Sequence, residues 1–424
     1  MFQWLAVQAQ RLVERVGDDA RSAISASESP YVRILWLVLS AACAALAVSS
    51  ASAPIRLGSA LMLATTTIAA LLHVLAVAAL TPWLAGQALS ALALVGFLIV
   101  SWLLARVVWP ASRLLPLVAV AATAALPIVL RLGTMFNPEM LFALLAAGAV
   151  WIFLRAQASA WRPVWGIPLG VVLGLAALTR QTAVVVILGL GISAFLLGRR
   201  QALWFATTTT VAILAVASPW WLHQLNRYGN PIQSNLEREG YLLEGGQPRS
   251  FYLSLPVSDL VVHPYRPALQ NELLPQFHAD LWSDWFGGQH NYWANPTRAA
   301  RFFASTQSVA GLIASVLGPL GFALLAARAF AARSTDLRSA AFVAFATLAT
   351  LSWIAFVVTL IRFPQAEGDP IKSSYMLYLA PVWATVLVAS AERVWHERRR
   401  WRIPILVWAS LYAVSLAGFL FTSW

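Results

Sequence analysis

The sequence predicts an all-α polytopic membrane protein with about 11–12 transmembrane helices and one long extracytoplasmic loop region. Three observations predict it. Hydrophobic residues fill 60% of 424 positions and charged residues 11%, where a soluble domain carries about 25% charged residues. Several apolar stretches reach the ~20 residues that cross a ~30 Å hydrocarbon core. The basic residues, one lysine and 28 arginines, fall mostly between those stretches. Basic residues spread over loops, not gathered on a soluble face, are the pattern of membrane orientation; the net charge of +12 therefore does not point to nucleic acid.

In chain order, residues 1–30 form an amphipathic N-terminal segment without the basic start and short apolar core of a signal peptide. Spans follow near 31–53, 58–80, 84–108, 112–131, 138–157, 164–179, 182–198 and 202–222, making an N-terminal transmembrane bundle over 31–222. Residues 223–305 are a polar, Pro- and Gly-rich loop region, and spans near 306–330, 339–361, 372–391 and 403–421 make a C-terminal bundle over 306–424. Arginines orient them. Arg106 with Arg113, Arg155 with Arg162, Arg199 with Arg200, Arg328 with Arg333 and Arg338, and the run ERVWHERRRWR at 392–402 occupy alternate connections, which go to the cytoplasm. The opposite face then receives FNPE at 136–139, the TRQT tip at 179–182, the long loop, and RFPQAEGDPIKSSY at 362–375. The side taken by residues 1–30 stays open, since it turns on whether 58–80 crosses fully. Cys43, the single cysteine, has no partner for an intrachain disulfide.

The hairpin 164–198 is short. Arms of about 15 residues rise only ~22 Å at 1.5 Å per residue, so its tip sits below the membrane surface. Arg180 at that depth costs about 2.5 kcal/mol or more unless it meets water, a carboxylate or an anionic ligand. Glu139 follows Asn137-Pro138 at the start of a span. An acid there complements the helix dipole; alternatively it points into the same outer cavity as Arg180.

The outer material concentrates polar chemistry. LWSDWFGGQHNYW at 281–293 sets rings beside amides and Asp284, a mixture that suits a sugar, whose faces are apolar and whose rim is hydroxyl. Trp282, Trp285, His290 and Tyr292 are the candidate sugar contacts, against the plainer reading of an interfacial aromatic belt. At 362–372, Arg362, Glu367, Asp369 and Lys372 crowd against a span, either as an anion clamp or as side chains snorkelling at a helix end. His263, His278 and His290 lack metal-ligand spacing. A divalent ion bridging a carboxylate and a phosphate is the one cofactor the acids would accommodate. Walker, dinucleotide and GxSxG patterns are absent.

SWLLARVVWPASR, RLGTMFNPEMLFALLAAGAVWIFLR, GLAALTRQT, PWWLHQLNRYGNP and GDPIKSSYMLYLAP resemble, in this order over roughly 84–424, the GT-C superfamily of membrane glycosyltransferases. Protein O-mannosyltransferases and the aminoarabinose transferase of lipid A are members. The resemblance implies a polyprenyl-phosphate sugar as donor and an acceptor at the extracytoplasmic face. The Arg-rich, Lys-poor and Ala/Leu/Val-rich composition fits a high-GC bacterium and, as a compositional inference, a home in the bacterial inner (plasma) membrane. The resemblance also implies that Lys372 and Arg362, helped by Arg180, neutralise the donor phosphate. Asp369 and Glu367, beside them in the sequence, are candidates to orient those cations, and Asp369 is a further candidate substrate contact. The superfamily places its catalytic acid in the first outer loop. Here 49–83 holds no carboxylate, and His73 is its one titratable alternative. Either Glu139 or Asp284 serves as base, or an acidic loop lies upstream of this sequence, or the chain is a non-catalytic relative that binds lipid or scaffolds a partner. A transporter is the third class, but no repeat relates the two halves.

Overall fold

In the computed structural model, residues 82–135, 137–198, 202–231, 246–262, 272–283, 297–331, 336–364 and 372–422 are described. All lie in one compact unit, Val74–Trp424. They form helices, with no strand among the described residues. The expected segment 1–30, the spans at 31–53 and 58–80, and His73 lie outside the described residues.

We number the α-helices α1 (Pro82–Val108), α2 (Leu114–Ala124), α3 (Pro127–Thr134), α4 (Pro138–Ala158), α5 (Gly166–Thr179), α6 (Ala183–Gly198) and α7 (Ala202–Tyr228). After the long connection begins come α8 (Arg249–Leu253), α9 (Val257–Val262), α10 (Leu273–Trp282), α11 (Arg298–Ala331), α12 (Leu337–Arg362), α13 (Ala380–Glu397) and α14 (Arg402–Thr422). A 3-10 segment, Ser373–Leu379, leads into α13. Among the described residues, seven helices or helix combinations are long and apolar enough to cross a bilayer. The bent pair α2–α3 makes a further span, and α5 and α6 are the two short arms. The chain is an all-α polytopic membrane protein.

One expected span is broken. Residues 112–131 do not form a continuous helix; α2 and α3 meet at 68°. Pro127 is the cause. It starts α3 without an N–H to give, and Leu126 before it is extended, at φ −70° and ψ 119°, the region into which a following proline pushes a residue. The start of α4 is set by local chemistry too. The Asn137 side chain accepts a hydrogen bond from the Glu139 N–H at 2.7 Å, and Pro138 takes the first helical turn. Asp336 caps α12 in the same way, accepting from the Ser339 N–H at 2.7 Å.

Helix packing follows small residues. Gly170 and Gly174 lie one turn apart on α5 and face α7 directly. A side chain at Gly170 would strike the Thr209 carbonyl and Ala212, and one at Gly174 would sit 2.7 Å from the Val216 Cβ. Small residues let helix backbones approach in lipid, where no hydrophobic force draws helices together. At the far side of the unit, α14 runs antiparallel to α11. Trp408 donates to the Ala310 carbonyl at 3.0 Å, and Ser415 meets Gln307 nearer the start of α11.

The long connection is less irregular than its composition implies. It contributes α8, α9 and α10, and α10 packs against α3, α11 and the 3-10 segment. One prediction tests the close approach of α5 and α7. Gly170→Ala should destabilise the protein by about 1–3 kcal/mol, seen as a lower melting temperature in detergent, whereas Gly148→Ala, with open space around it, should leave it unchanged.

Candidate functional site

Three separated sequence motifs meet at one point. Glu139 sits in the first turn of α4, held by the Asn137 cap. Ser90 of α1 anchors that cap, accepting from the Asn137 N–H at 3.4 Å and donating to its carbonyl at 3.3 Å. Arg180 ends α5 in an extended conformation, at φ −152° and ψ 144°, at the tip between the two short arms. Its guanidinium forms an ion pair with Glu139 and lies 4.8 Å from the centre of the Tyr375 ring. Tyr375 belongs to the 3-10 segment, its N–H donating to the Lys372 carbonyl at 3.1 Å.

Lengths explain why this pair is needed. Helices α5 and α6 have 14 and 16 residues, about 21 and 24 Å, against a hydrocarbon core of ~30 Å. A cation at such a tip needs a partner, and Glu139, only 7% exposed, is it. The Tyr375 face adds a cation–π contact of about 0.5–2 kcal/mol. Of the partners that the sequence allows Arg180, the carboxylate is present in the structure.

The 3-10 segment is locked from behind. Tyr378 stands edge-on to Phe142 of α4, centroids 5.4 Å apart, and its hydroxyl shares a 2.6 Å hydrogen bond with Ser352 of α12. Ser373 and Ser374 are buried, and their hydroxyls have no hydrogen-bond partner among the described residues. Lys372 occupies the N-cap position of this segment and is partly exposed.

Other candidates fall elsewhere. Arg362 ends α12, exposed, with its guanidinium 5.7 Å from the Phe363 ring centre; the described residues offer it no ion pair. Asp284, Trp285, His290, Tyr292 and Asp369 lie outside the described residues. Trp282 requires a correction. It is not on an open loop awaiting a sugar but ends α10, 1% exposed. Its indole N–H donates to the Ser315 hydroxyl at 2.8 Å, and its ring packs edge-on against Trp383 and Tyr412 at 5.3 and 5.6 Å. Helical periodicity explains the inversion. Trp282 comes four residues after His278, so both share the face of α10 that enters the bundle. Gly311 of α11 leaves the room, since a side chain there would strike the indole.

His278 shares that burial. Its Nε2 lies 3.0 Å from the Ser308 carbonyl, which only accepts, so Nε2 carries the hydrogen and Nδ1 accepts from Ser315 at 3.0 Å. Burial, only partly opposed by the Ser308 bond, pulls its pKa from 6.5 to about 4. Arg131, on α3, is a cation the sequence reading passed over. It is 7% exposed on a helix that touches both α10 and the 3-10 segment. The available signal was its position, alone between Arg113 and Glu139 in an otherwise apolar run. Among the described residues no three His, Cys, Asp or Glu side chains gather as a metal site.

Two outcomes are expected. In a double-mutant cycle of Glu139→Gln and Arg180→Gln, each single change should lower stability, and the double variant should be about 1–3 kcal/mol more stable than additivity allows; thermal or denaturant unfolding in detergent reads this. For His278 the unfolded imidazole takes a proton below pH 6.5 that the folded one refuses until about pH 4. Stability is therefore lost as pH is lowered from 6.5 towards 4. His278→Gln should flatten that part of the melting-temperature profile.

Residues 73–223 match the family model for dolichyl-phosphate-mannose-protein mannosyltransferases. The matched stretch holds Glu139 and Arg180; Lys372 and Tyr375 lie beyond it. A comparison with curated proteins gave no match. That family is of the polyprenyl-phosphate-sugar-dependent glycosyltransferase kind; the match covers less than half of the chain and supports a place in the GT-C superfamily of membrane glycosyltransferases.

Proposed function

We propose that this protein transfers a sugar from a polyprenyl-phosphate donor to an acceptor hydroxyl at the extracytoplasmic face of the membrane. One observation carries the reading: Glu139, Arg180 and the Lys372–Tyr375 segment, far apart in sequence, converge where a submerged hairpin tip meets the start of α4. A lipid phosphate arrives at this depth, because its tail keeps it at the hydrocarbon boundary. Cations act there in a low dielectric, where attraction to phosphate is stronger than in water. Arg180 binds phosphate oxygens through its planar fork, and Lys372 acts as a point charge. Arg362, exposed at the end of α12, is a further candidate cation for the phosphate.

The ion pair gives the chemistry an order. A phosphate that takes Arg180 leaves the Glu139 carboxylate unpaired and basic. The acceptor oxygen attacks the anomeric carbon as the bond from that carbon to the phosphate oxygen breaks. The phosphate leaves with the bonding electrons, stabilised by Arg180 and Lys372, and Glu139 takes the acceptor proton. Asp284 is the alternative base. The arginine distribution along the sequence supports the extracytoplasmic side for this end, with the opposite connections inside.

A second reading is favoured by the same ion pair. A carboxylate held by an arginine is a weak base, and the stretch 49–83 contains no carboxylate. A non-catalytic relative that binds polyprenyl lipid would keep Arg180 and Lys372 and need no base. The two readings separate in one assay, in which membranes carrying each variant receive a radiolabelled polyprenyl-phosphate sugar. Catalysis predicts transfer by wild type and a loss of roughly a hundredfold or more in Glu139→Gln, with weakened donor use in Arg180→Gln and Lys372→Ala. Donor binding without transfer in wild type supports the binder. Transfer unchanged in both Glu139→Gln and Lys372→Ala would overturn the proposed site.

A further inference from the structure

The opposite end of the bundle carries a surface that glycosyl transfer does not use. Between α13 and α14 the chain makes a tight 3-10 turn, Arg399–Trp401. Arg398, Arg399 and Arg400 are exposed there. They make no ion pair or side-chain hydrogen bond among the described residues, and the nearby carboxylates are already engaged. Glu392 accepts from the Trp109 indole at 2.7 Å and faces Arg338 at 4.0 Å. Glu397 pairs with Arg393 at 2.7 Å. Arg402 is pinned, its Nε donating to the Trp395 carbonyl at 3.0 Å and its guanidinium 5.3 Å from the Trp395 ring centre. Among the described residues, three adjacent guanidiniums therefore lack an anion.

The start of α14 fixes their depth in the membrane. Trp401 is half exposed, and Ile403 is 73% exposed. They open a 20-residue apolar span of which only 11% is buried within the protein. Exposed aliphatic side chains along Ile403, Leu406 and Val407 require lipid tails beside them, and an exposed tryptophan at such a boundary settles among headgroups. The three arginines thus stand at the headgroup layer, directly above acyl chains. Cations near an anionic leaflet are drawn to it by its surface potential. Arg113 extends the surface, exposed at the start of α2 beside the exposed Leu114, and α2 packs on α13.

We propose that the Arg398–Arg402 turn is a docking surface for anionic phospholipid headgroups, with Trp401 and Ile403 seating the acyl chains. Guanidinium forks match phosphate oxygens in pairs, and a zwitterionic headgroup would bring its own cation against them. The surface acts at the end away from Glu139 and Arg180, so it holds α13 and α14 at a fixed depth without entering the transfer chemistry. A soluble acidic protein would be a different occupant; it would leave Ile403 without a role.

The test uses the full chain purified in detergent and tail-labelled phosphatidylglycerol or phosphatidylcholine. Wild type should bind phosphatidylglycerol in preference, and about 1 M salt should erase the preference by screening. Arg398→Gln/Arg399→Gln/Arg400→Gln should weaken phosphatidylglycerol binding by at least about tenfold and leave phosphatidylcholine binding unchanged. A charge-matched control, Arg249→Gln/Arg298→Gln/Arg301→Gln, removes exposed arginines elsewhere and should bind as wild type does. Equal affinity for both lipids in wild type, or undiminished phosphatidylglycerol selectivity in the 398–400 variant, would overturn the proposal. So would an equal loss in the control variant, which would show that bulk charge is being read. Where the triple variant does not fold, Arg399→Gln and Arg400→Gln taken singly carry the same test, each expected to weaken phosphatidylglycerol binding about fivefold; no loss in either would overturn the proposal.

Discussion

A charge placed below the surface of a bilayer must find an opposite charge, and the Glu139–Arg180 ion pair is where this chain meets that demand. Neither group is tolerable alone. Arg180 is carried down by two helices too short to span, and Glu139 is buried by the capped start of α4. Their pairing ties the α5–α6 hairpin to α4, and the Tyr375 ring ties both to the segment that opens α13. The architecture of one end of the bundle depends on this contact. A buried pair of this kind adds little net stability compared with apolar packing, yet removing one member is costly. Such a pair fits a place where a ligand of the same charge as Glu139 exchanges with it.

The same contrast between local signal and distant partner runs through the site. Asn137, Pro138 and Glu139 announce a helix start in consecutive residues, and the cap is found as the residue types require. The short arms at 164–198 could be counted, and their shortness alone placed Arg180 at depth. Nothing in FNPE or TRQT names the other motif as its neighbour, because spans α4 and α5 are linked by a turn at the far end. The meeting of their near ends is a consequence of antiparallel packing. Tyr375 was still less visible, since an aromatic residue in an apolar run has the same pattern whether it faces lipid, protein or a cation.

Trp282 shows the opposite failure. Its neighbours from 283 onward are polar and Gly-rich, so a composition window assigns it to a loop. Helical periodicity at 273–282 is a weak signal over ten residues, and the tertiary structure decides the matter by providing a slot beside Gly311, between Trp383 and Tyr412. Pro127 is a related case. The apolar run at 112–131 has the length of a span, and hydropathy does not register that a proline reorients its second half. Arg131 then sits on a short helix of its own that packs on α10 and the 3-10 segment, a position without meaning in a straight helix.

By itself the sequence determined the class, the order of the described spans, the helix start at Asn137-Pro138 and the distribution of arginine. Each of these comes from interactions between a residue and either the solvent or its near neighbours in the chain. Hydrocarbon demands apolar length, and proline and asparagine set helix starts locally. Which charges neutralise one another, which tryptophan is core and which segment bends were decided only by the tertiary structure. Those outcomes depend on contacts between helices whose separation along the chain carries no trace of their distance in space.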